Sequence, residues 1–365
     1  MNRVYLDWNA TTPPLDAVIE VMAETARTAW GNPASVHGSG RAARDVVETA
    51  REEIALLASA SARDVIFTSG GTEANNLALH RAPALVTSQL EHPSITRMAE
   101  ALEAEGRLVR WLPVPPNGCL SAASISEALV GLPPGAVVAV APANHETGVI
   151  QPLAEIAEAV AKAGARLHVD AVQVAGKLPT ETLAVADTLS LAAHKLRGPK
   201  GIGALVHRPE RAPKPLLLGG SQERGRRPGT VDPVAAAGFR VAAAWARRSV
   251  MEREPLRLLR DQLEGWLVSR GASVNGGEVA RLGHVSNVSL PGHAGDELVA
   301  ALDLLGVAVS SGSACSAGTT EPSKIISAML GLERARGAVR ISLGDATTGQ
   351  DIELALQAFE RALRS

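Results

Sequence analysis

The sequence predicts an α/β fold, with a large domain built on a mostly parallel sheet and a smaller α+β domain. Short apolar runs alternate with alanine-rich helical segments from about residue 40 to 210. After about residue 255 the alternation gives way to a mixture of helices and short strands. At 365 residues the chain also exceeds the usual size of one hydrophobic core. We therefore expect a large domain over residues 15–254 and a small one formed by 1–14 together with 255–365.

The predicted strands of the large domain are short β-branched or apolar runs, typical of strands buried on both faces. They are VIFT (65–68), ALVT (84–87), RLVRWL (107–112), AVVAVA (136–141), RLHVD (166–170), DTLSLAA (187–193) and GIGALVH (201–207). Because helical segments separate several of these runs, we expect neighbouring strands to be parallel, with helices on both faces of the sheet.

Helical spacing of apolar residues predicts the connecting helices. The clearest examples are EANNLALHR, PLAEIAEAVAKAG, VAAAGFRVAAAWARR and EPLRLLRDQLEGWLVSRG. The second of them ends on Gly164, a candidate C-cap glycine. Further on, GHVSNVSLPG, DELVAALDLLG, VRISLG and a closing helix predict the α+β domain.

Composition excludes several classes of function. Apolar residues make up 46% and charged residues 20% of the chain, and its net charge is -2, so neither nucleic acid nor an anionic membrane surface is an expected partner. The aromatic content of 2% also argues against stacking on bases. We expect no signal peptide and no membrane span, because prolines interrupt the apolar stretches. The two distant cysteines, Cys119 and Cys315, point to a reducing cytoplasm rather than to a disulfide framework.

Two glycine-containing segments are candidates for binding an anion. In SGGTEANN, which follows a predicted strand, Gly71 and Thr72 begin a helix whose N-terminus favours a phosphate. The alternative is an ordinary helix start with Glu73 in the first turn. In ERGRRPGT, three arginines flank glycines in a loop that presents Thr230, which fits a phosphate better than a nucleic-acid surface.

Polar side chains at the ends of two other predicted strands suggest a cofactor with a charged ring. In HVDAVQ, Asp170 is placed to pair with a cationic ring nitrogen and Gln173 with a ring oxygen, unless Asp170 only caps the next element. In AAHKLRGPKG, Lys195 follows a buried strand beside His194 and is a candidate for a Schiff base. A solvated surface turn is the alternative.

Other histidines and carboxylates have weaker signals. His92 in EHPS heads a predicted helix, where an imidazole either stacks on a ring and moves protons or simply caps the helix. His168, Asp170, His145 and Glu146 lack a compact ligand signature such as HExxH, so a metal site is a minor alternative.

The segment SSGSACSAG holds Cys315 among glycine, serine and alanine, which supply little bulk for a core. A thiol on such a loop is either incidental or must be reached and must move. Taken together, a phosphate clamp, a ring-nitrogen carboxylate, a Schiff-base lysine and a free thiol are the parts that a pyridoxal phosphate enzyme requires.

The order of motifs resembles the cysteine desulfurase family, in the class V aminotransferase group of fold-type I pyridoxal phosphate enzymes. The likeness covers essentially the whole chain, through YLDWNATTP, GNPAS, FTSGGTEANN, EHPS, NHETG, HVDAVQ, AAHKLRGPKGIGAL, ERGRRPGT, SNVSL, SSGSACSAG, EPS and VRISLG. The loop SSGSACSAG with EPS after it is similar to the group I, NifS/IscS-like branch. The resemblance implies a homodimer with active sites near the subunit interface.

The resemblance also implies individual roles. Lys195 would bind pyridoxal 5'-phosphate as an imine and act as a base, His92 would stack on the ring and move protons, and Cys315 would be the nucleophile that receives sulfur from L-cysteine. The expected cofactor-binding residues are Gly71, Thr72, His92, His145, Asp170, Gln173, His194, Lys195 and, from the other subunit, Thr230. The expected substrate-binding residues are Arg340 and Asn144. No resident metal is predicted, although Cys315 could transiently contact a cluster during sulfur transfer.

Two positions depart from the family pattern. Ala192 stands three residues before Lys195, where many relatives have a serine, so one phosphate hydroxyl is missing. His145 stands where many relatives have a second asparagine, and we expect it to replace that asparagine's contact to cofactor or substrate. Cys119, in the turn-rich PPNGCLS, is read as incidental.

The predicted function is cysteine desulfuration to L-alanine and an enzyme persulfide. The sulfur would pass to an acceptor or scaffold protein of an iron–sulfur or other sulfur-using pathway, which the sequence does not identify. A selenocysteine lyase is the nearest alternative. A catalytically inactive scaffold of sulfur assembly is the alternative of a different class, and the presence of Lys195, Asp170, His92 and Cys315 argues against it.

Overall fold

The computed structural model describes residues 3–249, 254–312 and 321–364. Within these ranges the strands are β1 (Val4–Tyr5), β2 (Val65–Thr68), β3 (Ala84–Ser88), β4 (Leu108–Leu112), β5 (Val137–Val140), β6 (Arg166–Asp170), β7 (Thr188–Ala192), β8 (Gly203–His207), β9 (Ser273–Val274), β10 (Val285–Ser289), β11 (Val307–Ala308) and β12 (Ala338–Ser342). The α-helices are α1 (Asp16–Thr28), α2 (Gly38–Leu57), α3 (Gly71–Leu79), α4 (Pro93–Ala104), α5 (Ala122–Leu129), α6 (Leu153–Lys162), α7 (Pro233–Arg248), α8 (Glu254–Val268), α9 (Gly295–Leu304), α10 (Lys324–Leu330), α11 (Leu332–Arg336) and α12 (Gly349–Ala362). The strands predicted from residue 65 to 207 are all confirmed, with slightly different ends.

The central sheet is mostly parallel, as the sequence predicts. In the described part of the chain its order is β2-β8-β7-β6-β5-β3-β4. The five strands from β7 to β4 in this order run parallel, whereas β8 lies antiparallel to both β7 and β2. The carboxyl ends of the parallel strands therefore meet at one edge of the sheet, where ligand sites of open α/β sheets form.

Helices cover both faces of this sheet. Val86 and Val138 lie in a buried cluster with residues of α2, α6 and α7. The residues that precede them in β3 and β5, Leu85 and Val137, lie in another cluster with residues of α4. This split follows from the alternation of side chains along a strand. Gly164 follows the end of α6 with a φ of +64°, which agrees with the predicted C-cap glycine.

The C-terminal part has its own small core. β9, β10 and β12 form an antiparallel sheet in the order β12-β10-β9, and β1 pairs in parallel with β11. Val4 and Leu6 are buried in one cluster with residues of α8, α9 and α12. The division into 15–254 and 1–14 with 255–365 stays a prediction, and this shared core is the contact that supports it.

Helix α10 joins the two cores. Its residues Ile325, Ile326 and Met329 belong to the buried cluster of the central sheet, although they follow residue 255 in the chain. In β10, Val285 lies in the same large cluster and Val288 in the small one. The small sheet is thereby held against the carboxyl edge of the large one, next to the candidate site.

Candidate active site

A cavity of about 210 Å³ lies at the carboxyl edge of the central sheet. It collects residues that are far apart in sequence, from the N-terminal segment, from strand ends of the large sheet and from β12. Its lining residues are Asn9, Ala10, Gly71, Thr72, Asn75, His92, Ala141, Ala143, His145, Asp170, Val172, Gln173, Ala192, His194, Lys195 and Arg340. Most of the residues singled out in the sequence therefore share one cavity.

Lys195 lines this cavity and is held there by hydrogen bonds to the N-terminal segment. It lies on a short 3₁₀ turn directly after β7 and is partly buried. Its Nζ donates a hydrogen bond to the carbonyl of Ala10 at 2.7 Å and another to the carbonyl of Asn9. The alternative of a solvated surface turn is therefore wrong for Lys195, although Lys200 on the same loop is exposed.

Asp170, at the end of β6, is oriented by a chain of buried polar side chains. Asn75 of α3 donates from Nδ2 to Asp170 Oδ2 at 2.8 Å, and the Val172 amide donates to Oδ1 at 3.1 Å. Asn75 Oδ1 lies 2.9 Å from His168 Nε2, whose other ring nitrogen lies 2.9 Å from the Thr188 hydroxyl. Burial lowers the pKa of His168 to about 4, so its ring is neutral and Nε2 carries the proton donated to Asn75. These bonds fix the carboxylate without using all its acceptor sites.

His92 both caps a helix and borders the cavity. Its Nδ1 accepts the amide proton of Ser94 at 3.1 Å, which makes it the N-cap of α4. The ring meets His145 edge-on, with 5.6 Å between ring centroids. Burial lowers the pKa of His92, a shift that Asp170 opposes and Lys195 reinforces. The capping alternative is thus confirmed, and it leaves the rest of the ring directed at the cavity.

Two polar atoms in the cavity wall have no hydrogen-bond partner among the described residues. They are His145 Nε2 and Arg340 Nε, on side chains that are 10% and 2% exposed. The remaining Arg340 nitrogens bond to the Asp7 carboxylate at 2.7 Å and to the His145 carbonyl at 3.2 Å. Burial, with the nearby positive charges, lowers the pKa of His145 well below its usual range, so its ring is neutral. Because buried polar atoms are rarely left unpaired, the two atoms indicate a polar ligand.

The opposite end of the cavity fits an anion. Gly71 and Thr72 form the first turn of α3, where backbone amides and the helix dipole favour negative charge. His194 lines the same cavity, and its Nδ1 lies 3.1 Å from the Thr11 hydroxyl. Burial, then the charges of nearby lysines, lower the pKa of His194 to about 4, so it is a neutral hydrogen-bonding group. A side chain on Gly71 would meet Val172 at 2.7 Å, so glycine keeps this approach open.

The family model for aminotransferase class-V matches residues 4–355. That match spans nearly the whole chain. The protein belongs to the aminotransferase class-V family.

Relatives within this class-V family agree in their names. An IscS-like cysteine desulfurase of Mycobacterium tuberculosis is 40% identical, with 98% of this chain and 96% of the relative covered. A cysteine desulfurase of Cereibacter sphaeroides is 39% identical over 98% of this chain and 95% of its own. The crystal structure of a NifS-like protein from Rickettsia africae superposes with a TM-score of 0.91 and 30% identity, covering 100% of both chains. The α/β, fold-type I prediction is confirmed by this likeness.

Two residues predicted from the motifs, Asn144 and Thr230, lie outside the cavity lining. Asn144 is buried beside it, with Oδ1 accepting the amide protons of Glu146 and Thr147 at 2.9 Å. Thr230 is exposed at the end of the loop before α7. Cys315 lies outside the described residues. The roles predicted for these three residues stay predictions.

Two cavity residues were missed from the sequence. Asn9 lies in the motif YLDWNATTP and Asn75 in FTSGGTEANN, yet neither follows a strand end in a way that suggests a cavity. The signal in the sequence was an amide side chain inside a motif. In the structure Asn75 is fully buried and Asn9 nearly so. A buried amide needs partners, and here the partners are the cavity residues.

Two of the four candidate metal ligands, His168 and Glu146, are engaged in other hydrogen bonds. In the described part of the chain no group of three or more His, Cys, Asp or Glu side chains is arranged to hold a metal ion. Both ring nitrogens of His168 have partners, and Glu146 accepts a hydrogen bond from Ser323. Across the same residues, no helix combines the length and apolar character that crossing a membrane requires.

Proposed function

We propose that the protein is a cysteine desulfurase, which takes sulfur from L-cysteine, releases L-alanine and holds the sulfur as a persulfide on Cys315. The observation that carries this proposal is the single cavity that joins Lys195, Asp170 and His92 to the buried Arg340. The names of the class-V relatives support the same reaction.

The cofactor of this family is pyridoxal 5'-phosphate, and the cavity residues fit it. Lys195 would hold it covalently, Asp170 would face its ring nitrogen and Gln173 its ring oxygen. Gly71, Thr72 and His194 would hold its phosphate, without the hydroxyl that a serine at Ala192 would add. When bound, the cofactor serves as an electron sink for the substrate's α-carbon.

Lys195 is the residue we assign to proton transfer at the α-carbon of the substrate. Its Nζ donates hydrogen bonds to the carbonyls of Asn9 and Ala10, which hold the amine in the cavity lining. With substrate bound, the neutral amine of Lys195 would accept the α-proton at Nζ. His92, whose Nδ1 accepts the Ser94 amide proton and whose ring lines the cavity, is assigned to a second proton transfer.

Arg340 is assigned to the substrate carboxylate. It is almost completely buried and lines the cavity, and its Nε has no hydrogen-bond partner in the described residues. Arg340 Nη2 donates a hydrogen bond to Asp7 Oδ1 at 2.7 Å, which fixes the orientation of the guanidinium. Asn144 supports the adjacent turn, and His145 supplies a neutral imidazole beside the same space.

Cys315 is the proposed nucleophile. Its thiolate forms a bond to the substrate sulfur while the carbon–sulfur bond breaks, and the electron pair of that bond returns to carbon, which is then protonated to give alanine. The persulfide sulfur later moves to an acceptor or scaffold protein, for an iron–sulfur cluster or another sulfur-using pathway. Because a nucleophilic thiol must stay reduced, we propose that the protein acts in the cytoplasm.

The active unit is proposed to be a homodimer in which Thr230 completes the phosphate site of the other subunit. The exposure of Thr230, at the end of an ordered loop, supports this role. A large exposed apolar residue on the preceding segment, Leu218, is 93% accessible in the single chain and suits a contact between subunits.

The test uses the two cysteines as a matched pair. Cys315→Ala should still bind pyridoxal phosphate and show a spectral change when cysteine is added, while alanine and persulfide fall to background. Cys119→Ala should keep most of the activity, because Cys119 does not line the cavity and burial raises the pKa of its thiol. Undiminished alanine release from cysteine by Cys315→Ala would refute the proposal.

A further inference from the structure

The loop before α7 is joined to the start of α3 by an ion pair. Arg227 Nε lies 2.9 Å from Glu73 Oε1, and Arg227 Nη2 lies 3.3 Å from Oε2. Both side chains are largely buried, at 22% and 14% exposure. The pair therefore lies within one residue of Thr72, at the turn assigned to the cofactor phosphate.

Glu73 shapes that turn. Its Oε2 accepts the amide proton of Ser69 at 2.7 Å, which closes the segment from the end of β2 to the first turn of α3. Gly70, the N-cap between them, has a φ of +157°, a value that suits glycine. Burial alone would raise the pKa of Glu73, but the bonds from Arg227 and Ser69 outweigh it and keep the pKa below its usual value. The group that holds the turn is thus a carboxylate.

A carboxylate at this point opposes the binding of a phosphate, because like charges in a partly desolvated site repel each other. We propose that Arg227 is a positioning residue whose charge cancels that of Glu73, so that the turn keeps its shape without repelling the cofactor's phosphate. This inference rests on the proposed function, since it takes the phosphate of the cofactor as the ligand of the turn.

A second ion pair keeps the loop in place without Arg227. Arg51 and Glu223 form two 2.7 Å contacts, with side chains only 4% and 3% exposed. Glu223 also accepts the amide proton of Phe67 at 2.8 Å, which ties the loop to β2. Because this anchor remains, replacing Arg227 should remove a charge rather than unfold the loop.

The experiment compares two ligands that differ only in the phosphate, pyridoxal 5'-phosphate and pyridoxal, bound to cofactor-free protein and followed by absorbance. The variants are Arg227→Gln, Glu73→Gln and the double variant. Arg247→Gln is the matched control, because Arg247 pairs with Glu53 at 3.0 Å far from the turn. Thermal denaturation of each cofactor-free variant checks the fold.

The proposal predicts a particular order of affinities. Arg227→Gln should weaken pyridoxal phosphate binding on the order of tenfold, since it leaves an uncompensated carboxylate near the phosphate. Glu73→Gln should bind at least as tightly as wild type, and the double variant should recover most of the loss. Pyridoxal affinity should stay within about twofold for every variant, because it carries no phosphate.

Other outcomes would overturn the proposal. Equal losses for both ligands would mean that the pair only supports the fold, and a double variant as weak as Arg227→Gln would exclude charge cancellation. If the wild type binds both ligands and Arg227→Gln binds them with unchanged affinity, this inference is wrong but the proposed function stands. A wild-type protein that binds neither ligand would refute the proposed function and the inference together.

Discussion

The side chains of the cavity owe their orientation to buried neighbours. Asp170 accepts a hydrogen bond from Asn75 at 2.8 Å, and Asn75 Oδ1 lies 2.9 Å from His168 Nε2, two residues before Asp170 in β6. Because the neutral ring of His168 donates its proton to Asn75 Oδ1, the amide group of Asn75 is oriented with Nδ2 towards Asp170. The carboxylate is thereby aimed before any ligand arrives, which is the preorganisation that a cofactor site requires.

At Lys195 we expect covalent attachment of the cofactor. Borohydride reduction of the purified protein, which should be yellow, followed by peptide mapping should place the pyridoxyl label on Lys195. Lys195→Ala should lose both the label and the activity, because no other amine lines the cavity among the described residues. Lys200→Ala is the control and should be labelled normally. A label on Lys200 in the wild-type protein would contradict the assignment.

Glu91 should make stability depend on pH. Burial, with added repulsion from Asp170, raises the pKa of this carboxyl well above its usual range. The folded state therefore keeps a proton that the unfolded state releases, so this stability is complete below the unfolded pKa and is lost as pH rises towards the folded pKa. Compared with Glu91→Gln, the wild-type free energy of unfolding should fall by up to about 1.4 kcal/mol per pH unit in that window.

Urea denaturation of the wild type and Glu91→Gln between pH 5 and 9 measures this difference. Glu100→Gln, at an exposed position of α4, is the control and should leave the pH dependence unchanged. Parallel curves for the wild type and Glu91→Gln would mean that Glu91 is ionised in the folded protein.

At the scale of elements, the turn between β2 and α3, where we propose that the phosphate binds, depends on how closely β8 packs against it. A Cβ on Gly203, the first residue of β8, would lie 2.5 Å from the Leu191 carbonyl and 2.6 Å from Gly70 Cα. Both neighbours are backbone atoms, which cannot move aside as a side chain can. The shape of the turn between β2 and α3 is thus set partly by a strand that comes more than a hundred residues later in the chain.

Two glycine substitutions should therefore have opposite effects. Gly203→Ala should lower the free energy of unfolding by about 2 kcal/mol or more and weaken cofactor binding, because it overpacks the turn. Gly265→Ala, in α8, should raise the free energy of unfolding by about 0.5–1 kcal/mol, because alanine favours the helix and nothing lies within 4 Å of the new Cβ. Urea denaturation and cofactor titration measure both. A neutral Gly203→Ala would show that the two backbones separate easily.

At the scale of the whole molecule, the N-terminal segment joins the two sheets at the cavity. The Asn9 carbonyl accepts a hydrogen bond from Gln173 Nε2 at 3.0 Å, and Asn9 Nδ2 donates one to the His145 carbonyl at 3.1 Å. The Asn9 amide donates to the hydroxyl of Ser342, at the end of β12, at 2.9 Å. A segment that starts the chain thus closes a site formed by its middle and its C-terminal part.

The proposed dimer predicts complementation between two inactive chains. In a mixed dimer of Lys195→Ala and Thr230→Ala chains, one site carries both changes and the other carries neither, if Thr230 acts across the interface. Random mixing should then restore about one quarter of wild-type activity, because half of the dimers are mixed and each has one intact site. Activity no higher than in the parent variants, once mixing is verified, would count against a shared site.

Much of the large domain could be predicted because its signals are local. A strand such as VIFT is buried on both faces, so its apolar run is visible without knowing its neighbours. Strand ends carry polar residues, and parallel strands bring those ends together, which is why Asp170 and Lys195 could be placed in one site. Helices α1, α2 and α5 were not predicted individually, since their apolar faces are narrow and partly exposed.

The sequence by itself determined the α/β class, the strand positions and the residue types that bear the chemistry, because hydrophobic period and motif order are properties of the chain alone. Only the tertiary structure decided that β8 runs antiparallel beside β2, that Asn9 and Asn75 line the cavity and that Arg227 meets Glu73. These contacts join residues that are far apart in sequence. Their partners are chosen by how the sheet, helices and loops fill space together, and that choice leaves no local pattern.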